Sequence, residues 1–388
     1  MPDPEQRSIP IFIVSLTDMI YLDYNASTPI DPAVAAAMRP FLDEAFGNPS
    51  SGHWASTPAK AALEQARSQV AALLGAEPHE IVFTSGGSEA NNLAIKGTFF
   101  ARNCNGAHII TSAIEHPAVL APCRFLKRLG AAVTYLPVDR TGRVDPEDVR
   151  RAITPQTVLI SIMHANNEVG TIQPIEEIGK LAREQGIRFH NDAAQSVGKL
   201  LTKVDTLGVD LLSIAGHKLY APKGVGALYV RHGVELEPLI HGAGHELGRR
   251  AGTESALLAV GLGAACATVA DLAPMERVHV LRDCFWQALQ DRCGGRVVLN
   301  GHGTHRLPNT LNVSFVGKIG ADILGELRGV AASTGSACHS GRIELSPVLA
   351  AMGVPETIGM GAIRFSLGRA PCPMTSMMVA RLAGIGSA

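Results

Sequence analysis

Between residues 80 and 230 one recurring pattern narrows the possible folds more than any other feature: a short apolar run rich in valine and isoleucine, then a stretch with helical spacing. The runs are EIVFTS (80–85), HIITSA (108–113), VLISIM (158–163), IRFHNDA (187–193), VDLLSIAG (209–216) and VGALYV (225–230). A strand with one wet face alternates apolar and polar residues, whereas runs this continuous read as parallel strands buried on both faces by helices. Residues 28–272 therefore predict a large α/β domain with a mostly parallel sheet covered by helices. After residue 272 the pattern changes to a long helical stretch, MERVHVLRDCFWQALQDRC, then LPNTLNVSFV, STGSACHSG and AIRFSLG. That order predicts a smaller α+β domain, residues 19–27 with 273–388, in which helices pack on one side of a mostly antiparallel sheet. Residues 1–18 read as an extension, with Met19 as an alternative start. No internal repeat or low-complexity linker separates the parts.

The 388 residues are 46% hydrophobic and 18% charged, with a net charge of −1. This excludes a disordered chain, and a pI near 6.9 gives no electrostatic reason to expect nucleic acid or an anionic membrane as partner. No apolar run reaches the 18 or so residues of a membrane span, and the opening lacks a signal-peptide pattern. The seven cysteines, Cys104, Cys123, Cys266, Cys284, Cys293, Cys338 and Cys372, are odd in number, scattered and without a C-x-x-C pair. They predict a reducing, cytoplasmic setting and no metal site, so a cysteine that matters here matters singly.

Several strand ends carry residues suited to chemistry. In GHKLYAPKG (216–224), Lys218 follows a buried strand. An ammonium there loses hydration, so it is paired, turned outwards or used chemically. In TSGGSEANN (84–92), Gly86 and Gly87 allow close backbone approach, and Ser88 with the free amides of a helix start suits an anion. A plain helix cap by Ser88 is the open alternative. Asp192 ends the strand in FHNDAAQSVG, where ligands of such sheets bind, with Gln195 three residues on. In SAIEHP, His116 precedes a proline suited to a first helical turn and reads equally as a cap, a core residue or a proton shuttle. Asn166 and Asn167 in HANNEVG are turn formers or ligand donors. Together these residues suit a planar, phosphorylated, nitrogen-containing cofactor held by a lysine, and pyridoxal phosphate fits each part. Cys338, among the small residues of STGSACHSG, suits a nucleophilic thiolate as well as a plain turn. Arg364, in AIRFSLGR, suits a substrate carboxylate as well as a structural salt bridge.

Taken in order, YLDYNASTP, FGNPSSGH, FTSGGSEANN, EHPAV, NNEVGTIQP, HNDAAQSVGK, GHKLYAPKG, RRAGTES, LPNT, GSACHSG and IRFSLGR resemble the cysteine desulfurases of the NifS/IscS type. These belong to the class V aminotransferase group of pyridoxal-phosphate enzymes. The resemblance spans about residues 20–370 and implies a fold-type I transferase acting as a homodimer. It implies that Lys218 forms the Schiff base with the cofactor, that Asp192 partners the ring nitrogen, and that Gln195 and Asn167 lie near the ring hydroxyl. His116 is implied to stack on the ring and assist proton transfer. Gly87, Ser88 and His217, with Thr253 from a second subunit, are implied at the phosphate, Arg364 and Asn167 at the substrate carboxylate, and Cys338 as a nucleophile on a long mobile segment.

The implied reaction converts L-cysteine to L-alanine and leaves a persulfide on Cys338 for an unidentified sulfur acceptor, in iron–sulfur cluster or tRNA thiolation chemistry. The sequence departs from the family at Ala215, where many members carry a phosphate-binding serine, and at Leu247, where an arginine is usual. Its short tail departs from the one that often docks a scaffold protein. Ala215 and His339 resemble the animal selenocysteine lyases, so release of selenium from L-selenocysteine is an alternative reading. A class V aminotransferase is another, which STGSACHSG argues against.

Overall fold

In the computed structural model, residues 19–102, 106–327, 329–334 and 344–369 are described. Twelve strands occur among them: β1 (Ile20–Tyr21), β2 (Ile81–Thr84), β3 (His108–Ser112), β4 (Ala132–Leu136), β5 (Thr157–Ser161), β6 (Arg188–Asp192), β7 (Leu211–Ala215), β8 (Gly226–Val230), β9 (Val297–Asn300), β10 (Thr310–Phe315), β11 (Val330–Ala331) and β12 (Ala362–Ser366). Seven of them form one sheet in the order β2-β8-β7-β6-β5-β3-β4. Strands β2, β3, β7 and β8 are buried at every residue, which accounts for their unbroken apolar runs.

Strand β8 corrects the parallel reading of VGALYV, because it runs antiparallel to both β7 and β2. It returns from β7 through the short turn that carries Lys218, and a strand buried on both faces looks the same in either direction. Its reversal leaves the carboxyl ends of β2, β3, β5, β6 and β7 on one edge.

Helices cover both faces of this sheet. Thr57–Leu74 lies on one of them against Ala256–Val269, a helix with no charged residue. Their contact is close because Gly263 has no side chain, and a Cβ there would lie 2.6 Å from the Ala66 Cα. The apolar cluster beneath them includes Leu63, Val70, Phe189, Leu212 and Leu262. A second cluster, with Phe285, Leu289, Val313 and Phe365, lies between helix Ala273–Cys293 and the antiparallel sheet β9-β10-β12. Strand β1 pairs with β11, and Asp23 bridges to Ser366 on β12, so the chain from Ile20 enters beside this smaller sheet. Among the described residues no single helix is long and apolar enough to cross a membrane.

The segment 242–255 is anchored to the large sheet by a buried ion pair. Glu246 accepts Arg67 Nη1 and Nη2 at 2.7 and 2.9 Å and the Phe83 amide at 2.9 Å. Glu246→Leu leaves the buried Arg67 guanidinium with the Ile81 carbonyl and, at 3.9 Å, the exposed carboxylate of Glu64. Its expected cost is about 3–5 kcal/mol of unfolding free energy, read by chemical denaturation. A change under about 1 kcal/mol means the pair does not anchor the segment.

Candidate active site

A cavity of about 730 Å³ opens at the edge where the strand ends converge. Each strand delivers its residue through the turn that follows it. After β2, Gly86 takes φ 149° and caps helix Gly87–Ala101. Ser88 is therefore not the cap but lies in the first turn, where the helix amides are unpaired and attract an anion. After β3, His116 caps helix Pro117–Lys127: its Nδ1 accepts the Ala118 amide at 3.1 Å, which leaves Nε2 to carry the ring proton. The capping reading and the cavity reading of His116 both hold, since its ring also lines the cavity. After β5, Asn166 is a turn former: it takes the Glu168 and Val169 amides on Oδ1, and its Nδ2 donates to the Ile114 carbonyl. Asn167 alone of the pair lines the cavity.

Asp192 ends β6 and is buried. Asn91 Nδ2 donates to its Oδ2 at 2.6 Å and the Ala194 amide to its Oδ1 at 3.0 Å. Two neutral donors hold it without a cation of its own, so the carboxylate can serve a cationic ligand atom. After β7, a single helical turn, Gly216–Lys218, presents His217 and Lys218. The Lys218 amine rests on the carbonyls of Asn25 and Ala26, at 2.5 and 2.9 Å. Arg364 comes from β12 in the smaller sheet, pairs with Asp23 at 2.7 Å and donates to the Asn167 carbonyl at 3.0 Å. Its Nε is buried without a partner, so the fork retains a donor for a ligand carboxylate. The salt-bridge and ligand readings of Arg364 are therefore compatible.

Burial dominates the protonation states. Desolvation, with repulsion from Arg364, lowers Lys218 to about 8. Desolvation lowers His217 to about 4, with Lys218 and Lys223 adding to the effect, so it faces a ligand as a neutral ring. His116 is lowered by desolvation too, while Asp192 pulls it back up. Next to it, burial pushes Glu115 up to about 8, leaving a protonated acid whose carboxyl group takes Ser112 Oγ at 2.6 Å and the Met163 amide. The buried acid nearest Asp192 is thus neutral rather than a second anion.

The sequence also pointed to Gly87, Gln195 and Thr253. Gly87 and Gln195 line the cavity. A Cβ on Gly87 would lie 3.1 Å from the Ala215 Cβ, so a larger residue here needs its neighbour to give way by a few tenths of an ångström. Thr253 is exposed and lines a separate cavity that shares only Ser85 and Gly224 with the first. Leu247 is exposed on the same segment, with φ 57°. Cys338 and His339 lie outside the described residues, as do Cys104 and Cys372. Among the described residues no group of His, Cys, Asp and Glu could hold a metal.

The sequence reading missed Asn25, Asn91, Glu115 and Lys199. Asn25 stood inside the quoted YLDYNASTP, and Lys199 closed HNDAAQSVGK. Their signal was a polar residue embedded in a site motif, which spacing alone does not separate from a turn residue.

The residues fit pyridoxal phosphate: an amine near its titration range, a buried carboxylate without a cation, and a glycine-lined helix start surround one cavity. With the amine depressed, the unfolded chain keeps its proton to higher pH, so Lys218 adds folding stability as pH rises from about 8 to 10.5. In the cofactor-free chain an acylating reagent should label Lys218 with a midpoint near 8, below that of exposed lysines at about 10.4, by peptide mass spectrometry. A midpoint at the ordinary value means that the amine is solvated.

Comparison with known proteins agrees with this geometry. The family pattern described as Aminotransferase class-V matches residues 20–373. A cysteine desulfurase IscS from Dictyoglomus turgidum is 52% identical over 353 residues, covering 90% of this chain and 89% of the relative. Another from Methanosarcina thermophila is 49% identical over 354 residues, covering 90% and 87%. Among solved structures, a NifS-like protein superposes with a TM-score of 0.89 at 36% identity, covering 95% of this chain and 99% of that one. SspA in complex with cysteine gives 0.82 at 43% identity, covering 91% and 100%. The fold is the fold-type I arrangement that the resemblance implied. The chain belongs to the class-V aminotransferase family and, within it, to the cysteine desulfurases.

Proposed function

We propose that this enzyme converts L-cysteine to L-alanine, with Cys338 as the sulfur acceptor and pyridoxal phosphate as its cofactor. One observation carries the reading: Lys218, Asp192, His116 and the start of helix Gly87–Ala101 meet in a single cavity that also receives Arg364. Lys218 would hold the cofactor's aldehyde carbon, Asp192 its ring nitrogen, and Gln195 and Asn167 its ring hydroxyl. Gly87, Ser88 and His217 would hold its phosphate. Bound there, the cofactor supplies an electron sink for the carbon next to the substrate carboxylate.

The chain's own groups do the rest. Arg364, with Asn167, holds the substrate carboxylate, which fixes the Cα–H bond towards the amine of Lys218. That amine, near 8 in its free form, exists partly as a neutral base around neutrality and removes the α-proton. His116, whose ring lines the cavity and whose Nδ1 is held by the Ala118 amide, stands ready to return a proton from Nε2–H. The thiolate of Cys338 attacks the substrate sulfur, an S–S bond forms, and the S–Cβ bond breaks with its electron pair on carbon. Protonation of that carbon and return of a proton to Cα, from Lys218 or His116, yield alanine, and the sulfur stays as a persulfide for an acceptor in iron–sulfur cluster or tRNA thiolation chemistry. A second copy of the chain supplies Thr253, a reading supported by the exposure of Thr253 and its absence from its own subunit's main cavity.

Selenocysteine lyase activity is the second reading, favoured by Ala215, which lines the cavity without a hydroxyl. Selenium leaves more readily than sulfur, so the two reactions depend differently on the thiol. The expected result is that Lys218→Ala lowers both reactions by about 10²–10⁴-fold. Cys338→Ala should abolish alanine and persulfide formation from L-cysteine and leave much of the L-selenocysteine reaction. Unchanged cysteine turnover in Cys338→Ala overturns the assigned nucleophile.

A further inference from the structure

Behind Gln195 lies a second buried lysine that the proposed reaction does not use. Lys199 is 9% exposed, and among the described residues it forms no ion pair. Its Nζ donates to Gln195 Oε1 at 3.0 Å and to Asn25 Oδ1 at 3.4 Å. Gln195 in turn donates through Nε2 to the Asn25 carbonyl at 2.9 Å, the oxygen on which the Lys218 amine rests. The three side chains therefore form a closed set around Asn25, with Lys199 on the side away from the cavity lining.

The charged groups facing Lys199 are cationic. Lys218 and Arg364 both repel its proton, and Arg369 lines the same small gap beneath it with Lys218, Tyr24 and Tyr220. The carboxylates nearby are engaged elsewhere: Asp23 pairs with Arg364, and Asp192 with Asn91 and the Ala194 amide. Burial, then Lys218 and Arg364, lowers Lys199 to about 7. In either protonation state the amine has hydrogens to give to Gln195 Oε1. Placing a lysine here carries a desolvation cost that an apolar residue would avoid, and what the amine gains in return is these two oxygens.

We propose that Lys199 is a positioning residue for this site: by holding Gln195 Oε1 and Asn25 Oδ1 it fixes the Gln195 amide with its NH₂ end towards Lys218 and the cofactor's ring hydroxyl. The proposal rests on the reading of Lys218 as the cofactor lysine. A donor aimed at the ring oxygen stabilises that oxygen as an anion, so loosening the donor lets the bound cofactor keep its proton to higher pH.

The test is the pH midpoint of the visible absorbance of the pyridoxal-phosphate-loaded protein, recorded without substrate. Lys199→Met should raise the midpoint by about 0.5 to 1 pH unit, the size of one neutral hydrogen bond. Gln195→Ala should raise it at least as far, and the double variant no further than Gln195→Ala alone. Lys199→Arg, which keeps the donors, should return the midpoint towards that of the wild type. Thermal unfolding of each variant monitors the fold. Should Lys199→Met fail to fold, Lys199→Gln, with a donor on a shorter stem, takes its place and should give a smaller shift in the same direction. An unmoved midpoint in the folded variant overturns the proposal, as does a double variant whose shift is the sum of the two single ones. A wild type that gains no visible band with pyridoxal phosphate overturns the reading of Lys218 and this inference with it.

Discussion

The site depends on the complete hydrogen bonding of one buried residue, Asn25. Its amide N–H donates to Ser366 Oγ at 2.9 Å, its Nδ2 to Thr310 Oγ1 at 2.8 Å and, at 3.3 Å, to the Asn167 carbonyl. Its Oδ1 takes Asn309 and Lys199, and its carbonyl takes Gln195 and Lys218. Ser366 and Thr310 belong to the smaller sheet, while Gln195 and Lys218 follow strands of the large one. An apolar residue at position 25 would leave buried donors and acceptors unpaired on both sides, each at a cost of about 1–3 kcal/mol. The relative position of Arg364 and Lys218 therefore rests on the same bonds that place the Lys218 amine.

Around that hub the charges are unevenly balanced. Lys218, Lys199 and Arg364 approach one another in a buried space, with Asp23 and Asp192 as the adjoining carboxylates. Desolvation and mutual repulsion both favour neutral amines, which is what a nucleophilic or basic lysine requires. The same surplus of cationic groups favours an anionic ligand, and the unpartnered Nε of Arg364 leaves a donor for one. A zwitterionic amino acid would suit this field with its carboxylate at Arg364 and its ammonium group towards Lys218, where a proton could be given up. Orientation and activation of such a ligand thus have one electrostatic origin.

Much of this was legible in the sequence because the large sheet is built from local signals. Each unbroken apolar run became a strand, and Ser88, His116, Asn167, Asp192 and Lys218 could be placed on one edge because each follows its strand within a few residues. The direction of β8 was not legible, since burial on both faces imposes the same composition in either direction. Nor were Asn25 and Lys199. Their partners lie up to 341 residues away, and an asparagine or lysine in a loop carries no periodic signal. The double role of His116, as cap and as cavity wall, could be stated as alternatives but not as a conjunction, because the first depends on the next turn and the second on the next strands.

The end of the cavity at the start of helix Gly87–Ala101 suggests how a missing hydroxyl would be offset. Ala215 ends β7 against Gly87, so a serine at position 215 would contribute a donor just where the helix start already presents its unpaired amides. The acidic residue of that first turn, Glu89, is the group that would repel an anion, and it is turned away from that task. Its carboxylate takes the Ser85 amide at 2.7 Å and Arg250 Nε at 2.9 Å. With Glu89 neutralised, the helix dipole, the neutral ring of His217 and the ammonium of Lys223 on the cavity wall face an anion unopposed. Losing one neutral donor removes about 1 kcal/mol from such a site, whereas freeing Glu89 from Arg250 would set a full negative charge against the ligand. On that balance Arg250, which does not line the cavity, would matter more to an anion held there than the hydroxyl that Ala215 lacks.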